Sequence, residues 1–258
     1  MTLESTAQEA SAGQDASAAQ DAPAGHEPSA GHEPSAGKEP SAELLAELAE
    51  ASARLEGADP VEIIKWAVDR FEGNVALAAS FQDAALVDMA VSVDPSMEVV
   101  FLDTEFHFPE TLAYVERLRR RYDLNLLVTH PEVGPDEFPC GSSRCCELRK
   151  VVPLGRALQG RGAWITGLKR VDTPERAEAP VIAWDPGRAM VKVNPVAAWD
   201  DDDVDDYVAA RDLPRHPLNY VGYISIGCAP TTVPVPEGKH PREGRWAGTD
   251  KTECGLHL

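Results

Sequence analysis

The residues with the clearest chemical potential lie in the final segment, Glu253-Cys254-Gly255-Leu256-His257-Leu258. A thiol on a segment that can swing reaches a substrate, releases it and meets a reductant elsewhere. His257, three residues after Cys254, could favour the thiolate or contact an anionic substrate. The segment therefore predicts a mobile catalytic tail with Cys254 as its nucleophile, and the alternative is a frayed end with an incidental cysteine.

The remaining cysteines predict a metal or redox site. They are Cys140, Cys145, Cys146 and Cys228. An odd total of five with one adjacent pair makes a poor disulfide framework. Adjacent cysteines rarely bridge each other, but on a turn entering a helix both thiolates could bind one cluster of several irons. Buried free cysteines are the alternative.

Clustered cations predict an anion site. Thr166-Gly167-Leu168-Lys169-Arg170 places two cations after a predicted strand, and Arg242 and Arg245 lie close to the tail. Lys150 follows the paired cysteines. Any one of these cations could be ordinary surface charge. Their coincidence in a chain with a formal net charge of -19 favours a site.

Alternating strand and helix patterns predict the elements that position these groups. The expected strands are Val75–Ala79, Glu98–Leu102, Asn125–Val128 and Ala163–Thr166, and the expected helices are 84–91, 109–121 and 146–158. Such alternation is typical of an open, mostly parallel α/β sheet flanked by helices. Ligands of these sheets bind beyond the C-terminal strand ends. Ser80, Asp103-Thr104 and the Gly167 loop should therefore meet at one crevice.

Two polar segments have both a structural and a functional interpretation. Ser80-Phe81-Gln82-Asp83, between a strand and a helix, suits a phosphate or adenosine group, or a plain helix cap. The run Asp200–Asp203 with Asp205 and Asp206 could bind a hard cation. We interpret it instead as the acidic first turn of a helix, which the helix dipole favours.

Composition divides the chain into three parts. Residues 1–41 are low in large apolar side chains and carry a threefold repeat beginning Ala24-Gly-His-Glu-Pro-Ser29, so we expect a disordered tail. A folded nucleotide-binding domain is expected over 42–240 and the catalytic tail over 241–258. The strongly acidic balance argues against nucleic acid or a membrane as partner, and it leaves a homo-oligomer open. Without a signal peptide or an apolar run of about 20 residues, the expected location is the cytoplasm.

Six segments together resemble the assimilatory sulfonucleotide reductases. They are Ser80-Phe81-Gln82-Asp83, Phe101-Leu-Asp-Thr104, Cys145-Cys146-x-x-Arg149-Lys150-Val-x-Pro-Leu154, Thr166-Gly167-x-x-Arg170, Gly222-Tyr-x-Ser-Ile-Gly-Cys228 and Lys251-Thr-Glu-Cys-Gly-Leu-His257. The resemblance runs from about residue 45 onward and is closest to the iron–sulfur, adenylyl-sulfate-reducing branch. It implies an adenine nucleotide alpha-hydrolase-like fold. It also implies thioredoxin-dependent reduction of adenosine 5′-phosphosulfate to sulfite and AMP, in sulfate assimilation and cysteine biosynthesis.

The resemblance also implies residue roles. Cys254 would form an S-sulfocysteine that thioredoxin cleaves. Residues matching those around the phosphosulfate are Lys150, Arg242, Arg245 and His257, and those matching nucleotide-binding segments are Ser80 and Arg170.

The implied cofactor is a 4Fe–4S cluster on Cys145, Cys146 and Cys228, and one ligand position departs from the family. Thr231 stands where the branch has its fourth cysteine, and a hydroxyl is a poor ligand for iron that prefers thiolates. Three outcomes stay open: a labile three-cysteine cluster, Cys140 as the fourth ligand, or no cluster.

Two other functions compete with this interpretation. A 3′-phosphoadenylyl-sulfate reductase uses the same tail nucleophile without a cluster; the paired cysteines disfavour it and Thr231 weakly favours it. A redox-inactive nucleotide-binding or sensor protein is the second. Cys254, Lys150, Arg242 and Arg245 are all present, which argues against it.

Overall fold

A six-stranded sheet forms the centre of the fold in the computed structural model, which describes residues 39–142, 144–236, 238–247, 251, 253 and 255–257. The strands are β1 (Val75–Ala78), β2 (Glu98–Leu102), β3 (Asn125–Thr129), β4 (Ala163–Thr166), β5 (Ile182–Asp185) and β6 (Met190–Val193). Their order is β3-β2-β1-β4-β6-β5, and every neighbouring pair is parallel except the antiparallel pair β5–β6. The predicted mostly parallel α/β sheet is confirmed. The predicted disordered tail lies outside the described residues as far as Lys38.

Six α-helices flank the sheet in the described part of the chain: α1 (Ala42–Arg54), α2 (Pro60–Arg70), α3 (Ala85–Val93), α4 (Pro109–Tyr122), α5 (Val152–Ala157) and α6 (Asp201–Ala210). The side chains of Asp200 and Asp203 each accept the other's backbone N–H, forming a capping box at the start of α6. The acidic run is therefore a helix start, as predicted. Among the described residues, we find no helix with the length and apolar character needed to cross a membrane.

The helix predicted over 146–158 is only partly regular. A π-helical turn, Glu147–Val151, precedes α5. Pro153, which lacks an N–H to donate, stands in the first turn of α5, just after this widened turn. Arg149 is buried in the turn, and it donates hydrogen bonds to the Thr104 carbonyl (3.2 Å) and to the Glu105 carboxylate (3.0 Å).

The core lies on both faces of the sheet because successive strand residues point to opposite sides. Val75 and Leu77 of β1 join a cluster that includes buried residues of α1 to α4. Ala76 of β1 joins the cluster on the other face, with Leu154 of α5 and Trp164 of β4.

The strand order creates a crevice between β1 and β4. The chain passes from β1 outward to β2 and β3, and it then returns to place β4 on the other side of β1. Such a reversal opens a ligand-binding crevice at the C-terminal strand ends. The segment after Ala78 and the segment after Thr166 flank this point.

Candidate active site and cysteine cluster

A cavity of about 220 Å³ opens at this crevice. Its walls include the loop after β1, the loop after β4, the π-helical turn bearing Lys150, the 3-10 turn Pro241–Gly244 with Arg245, and residues near the end of the chain. The topology therefore gathers parts of the chain that are far apart in sequence at one position.

Most of the predicted site residues meet in this cavity. Those that line it are Ser80, Lys150, Arg242, Arg245 and His257. Cys254 lies outside the described residues, but Glu253 and Leu256, on either side of it in sequence, also line the cavity.

Arg170 is placed differently from the other predicted site residues. Its guanidinium forms two hydrogen bonds with the Glu56 carboxylate (2.6 and 2.8 Å) and donates to the Ala179 carbonyl (2.8 Å). Arg170 is outside the set of described residues that line the cavity. Two other cations of the same region, Lys169 and Arg176, line it instead.

The loop after β1 contains a residue with a positive φ and is stabilised by an aromatic contact and a hydrogen bond. Phe81 adopts a left-handed φ of 54° and packs edge-on against Phe101. Asp83 accepts the Ala85 N–H (2.9 Å), and burial raises the pKa of its carboxyl. The N-cap residue of α3 is Ala84, so Ser80 does not cap the helix. The Ser80 side chain is instead exposed at the cavity.

Arg176, which is buried, and Arg242, which is partly buried, form an anion site that the Glu253 carboxylate occupies. Arg176 donates from Nε to Glu253 Oε2 (2.8 Å) and from Nη1 to Asp172 Oδ2 (2.8 Å). Arg242 Nη2 lies 3.6 Å from the same Glu253 oxygen. The Glu253 side chain is only 5% exposed. We call Arg176, Arg242 and Glu253 the arginine clamp; a bound anion would meet the same two cations.

Arg245 forms the floor between the clamp and the cysteines. It donates to Ser225 Oγ and the Ile226 carbonyl, both at 3.2 Å, and packs over the Trp246 ring. A side chain at Gly227 would approach the guanidinium to 2.5 Å. Any larger residue at position 227 would displace the Arg245 guanidinium from this position.

His257 lies on the cavity wall. Its ring stacks on Trp164 with centroids 6.1 Å apart and an interplanar angle of 6°. Burial, with nearby Lys192 and Arg176, holds the pKa of His257 well below its usual value. Its buried Nδ1 has no hydrogen-bond partner among the described residues, so a ligand could supply one.

A second, smaller pocket lies behind the cavity and brings together the cysteine cluster, which we define as Cys140, Cys145, Cys146 and Cys228. Cys140 shares hydrogen bonds with Cys145 and Cys228, and all four thiols are free of disulfides. Lys150 and Arg245 line both pockets and so connect the cysteines to the anion site.

Mutual hydrogen bonding sets the protonation of these thiols. The bonds to Cys145 and Cys228 raise the pKa of Cys140. The same bonds lower the pKa of Cys145 and Cys228. Thiolates are the form that binds iron, so the donor set fits an iron–sulfur group in kind. In the described part of the chain, no group of three or more His, Cys, Asp or Glu side chains is arranged to hold a metal ion.

Comparisons with known proteins agree on one family. The model of the phosphoadenosine phosphosulfate reductase domain matches residues 73–234. The adenosine 5′-phosphosulfate reductase of Mycolicibacterium smegmatis is 46% identical over 225 residues, covering 83% of this chain and 95% of that protein.

Solved structures agree on the fold. The phosphate complex of phosphoadenylyl-sulfate reductase from Candida auris superposes with a TM-score of 0.62 at 27% identity, covering 76% of this chain and all of that one. Yeast FAD synthetase, in complex with FAD, gives a TM-score of 0.54 at 16% identity over 74% of this chain and 77% of its own, a likeness of fold alone.

Proposed function

The chain belongs to the phosphoadenosine phosphosulfate reductase domain family, and we propose that it reduces adenosine 5′-phosphosulfate to sulfite and AMP with thioredoxin as electron donor. The observation that carries this proposal is the position of the tail. Glu253 and Leu256, on either side of Cys254 in sequence, line the cavity in which Arg176, Arg242, Lys150 and His257 converge. An anion site therefore lies beside described residues that stand on either side of Cys254 in sequence.

The cavity offers separate places for the two ends of the substrate. The loop bearing Ser80 would receive the adenosine end at the switch point of the sheet. The arginine clamp, with Lys150 and Arg245, would receive the phosphosulfate. Neutralising that negative charge lets a thiolate approach the sulfur, because two anions would otherwise repel.

The first chemical step transfers the sulfonate group to the enzyme. The Cys254 thiolate attacks the sulfate sulfur, and an S–S bond forms while the bond from sulfur to the phosphate oxygen breaks. AMP leaves with the electron pair of that bond. The product on the enzyme is S-sulfocysteine.

The second step releases sulfite. A thioredoxin thiolate attacks Sγ of Cys254, and sulfite leaves with the electron pair of the S–S bond. The second thioredoxin thiol then resolves the mixed disulfide, so Cys254 returns as a thiol and thioredoxin is oxidised. Because Glu253 and Leu256 line the cavity, this step requires that thioredoxin gain access to Cys254.

The cysteine cluster is the site we assign to an iron–sulfur cofactor. Its thiols would hold a 4Fe–4S cluster behind Lys150 and Arg245, which line both pockets. When bound, such a group supplies negative charge that orients these two cations, while the electrons for sulfate reduction come from thioredoxin. We place the enzyme in the cytoplasm, where reduced thioredoxin is maintained.

Sulfite release measured under anaerobic conditions tests the function. Wild type with reduced thioredoxin should produce sulfite from adenosine 5′-phosphosulfate, and Cys254→Ser should produce none while still binding AMP. Mass spectrometry should find a sulfonate on the tail peptide of wild type that thioredoxin removes. Normal turnover by Cys254→Ser would refute the assignment.

One observation favours a second candidate substrate, the 3′-phosphorylated nucleotide. Thr231 replaces a cluster cysteine of the adenylyl-sulfate branch, as in an enzyme that works without the cluster. Parallel assays with both nucleotides decide between them. A higher kcat/KM for the 3′-phosphorylated substrate would establish the alternative and leave the tail chemistry unchanged.

A further inference from the structure

A different cysteine, Cys140, lies beside the position at which this chain departs from its family. Thr231 Oγ1 lies 3.4 Å from Cys140 Sγ. Cys140 in turn shares hydrogen bonds with Cys145 and Cys228. The sulfur of Cys140 therefore lies among the other thiols, at the side of the pocket that Thr231 occupies.

A tight turn presents Cys140 to the cluster. The Ser142 N–H donates to the Pro139 carbonyl (3.0 Å), and Gly141 between them adopts a φ of 93°. A positive φ at the third residue is the mark of a type II turn, which glycine adopts without strain. The Gly141 N–H also donates to the Cys145 sulfur, so the turn itself contacts the cysteine cluster.

The end of this turn is fastened to the catalytic tail. Lys251 Nζ donates to the Ser142 carbonyl (2.6 Å). The Cys145 N–H donates to the same carbonyl (3.3 Å). The end of the turn that follows Cys140 is therefore held in place by two hydrogen bonds to one carbonyl.

We propose that Cys140 is the fourth ligand of the iron–sulfur cluster, with Cys145, Cys146 and Cys228, and that Thr231 supports it as a hydrogen-bond donor. The inference rests on the proposed cofactor of this reductase and concerns only how this chain holds it. A thiolate suits iron of this kind and a hydroxyl does not. The Thr231 hydroxyl at hydrogen-bond distance would stabilise the Cys140 thiolate, as partners of metal ligands commonly do.

Ligation by Cys140 would compensate for the missing cysteine at position 231. A three-cysteine cluster would leave one iron open to water and oxygen, although the half-buried Cys140 thiol lies beside it. Ligation by Cys140 closes that corner, and the small hydroxyl of Thr231 leaves room for the incoming sulfur.

Metal content of variants purified without oxygen tests the inference, independently of activity. Iron and acid-labile sulfide per chain should be high in wild type and fall several-fold in Cys140→Ser, with the near-UV circular dichroism retained. Cys140→Ser/Thr231→Cys should recover the lost iron, because the cysteine returns at the other position. Cys254→Ser is the matched control, since it removes a cysteine from outside the cluster and should keep full iron.

Thr231→Val separates the ligand role from the supporting role. It should keep the iron, because the hydroxyl is not a ligand, but lower the reduction potential of the cluster, since a hydrogen bond to a ligand sulfur stabilises the reduced form. Loss of iron in Thr231→Val equal to that in Cys140→Ser would overturn the assignment.

The remaining outcomes are equally decisive. Unchanged iron in Cys140→Ser, or no recovery in the double variant, would overturn Cys140 as the fourth ligand. Wild type without iron or sulfide would overturn the cofactor, and sulfite formation by that same preparation would show that the proposed reductase function stands without it.

Discussion

Neutralising Glu253 should tighten anion binding, because its carboxylate occupies the arginine clamp. Glu253 Oε2 lies 2.8 Å from Arg176 Nε and 3.6 Å from Arg242 Nη2, and its side chain is 5% exposed. A bound phosphosulfate must share these cations with Glu253 or displace it. Glu253→Gln retains the shape of the side chain and removes the competing charge.

The expected change in AMP affinity is estimated from the free energy of one hydrogen bond to a charged group. A hydrogen bond to a charged group contributes about 1.5–3 kcal/mol, and each 1.4 kcal/mol changes an affinity about tenfold. AMP should therefore bind roughly ten- to hundredfold more tightly to Glu253→Gln than to wild type. Asp172 still bonds to Arg176 at 2.8 Å, so the variant should stay folded but lose about 1.5–3 kcal/mol of stability without ligand.

Titration calorimetry with AMP and urea unfolding, both at low salt, measure the two effects. Glu47→Gln is the matched control: Glu47 pairs with Arg70 at 2.5 Å, but both side chains are at least 40% exposed. Such a surface pair is worth about 0–1 kcal/mol, and the control should not change AMP binding. Equal AMP affinity in Glu253→Gln and wild type would refute competition by the tail.

Three further predictions follow from the same contacts. Lys150→Ala should lower kcat/KM for adenosine 5′-phosphosulfate roughly ten- to hundredfold, while the exposed Lys65→Ala should leave it unchanged. Burial lowers the pKa of His216 to about 4, so the stability that the neutral side chain contributes is complete above pH 6.5 and is lost as the pH falls towards 4. Urea unfolding at several pH values should show that His216→Gln removes up to about 3 kcal/mol of this pH dependence. Gly141→Ala forces a side chain into a turn with a φ of 93°, so absorbance should show faster cluster bleaching in air than in wild type, and an equal rate would contradict the role of the turn.

The central strands were predictable from sequence because they are buried on both faces. Val75–Ala78 and Ala163–Thr166 are continuous apolar runs that end at polar or glycine residues. The sequence therefore indicates that they are strands, where they lie, and that a crevice forms at their C-terminal ends. The β5–β6 pair was not predicted. Ile182–Asp185 is half-buried at a sheet edge, and the Asp185-Pro186-Gly187 turn after it has the composition of a loop.

The choice between two arginines of one loop could not be made from sequence. Arg170 and Arg176 follow the same strand, and a pattern of cations does not show which one faces the cavity. Their acidic partners decide this: Arg170 pairs with Glu56 from the connection between α1 and α2, whereas Arg176 pairs with Asp172 and Glu253. Only tertiary structure brings these partners into contact.

Sequence alone also could not identify the fourth cysteine of the cluster. Motif spacing identifies Cys145, Cys146 and Cys228 and exposes Thr231 as a departure, but it leaves Cys140 undecided because a five-residue separation sets only its reach. The structure adds the type II turn at Gly141 and the contact between Cys140 and Thr231, which are 91 positions apart. In the sequence, Thr231 and Cys140 have no visible relation. The structure places them on the same side of one pocket, which is why we propose that one supplies the ligand the other cannot.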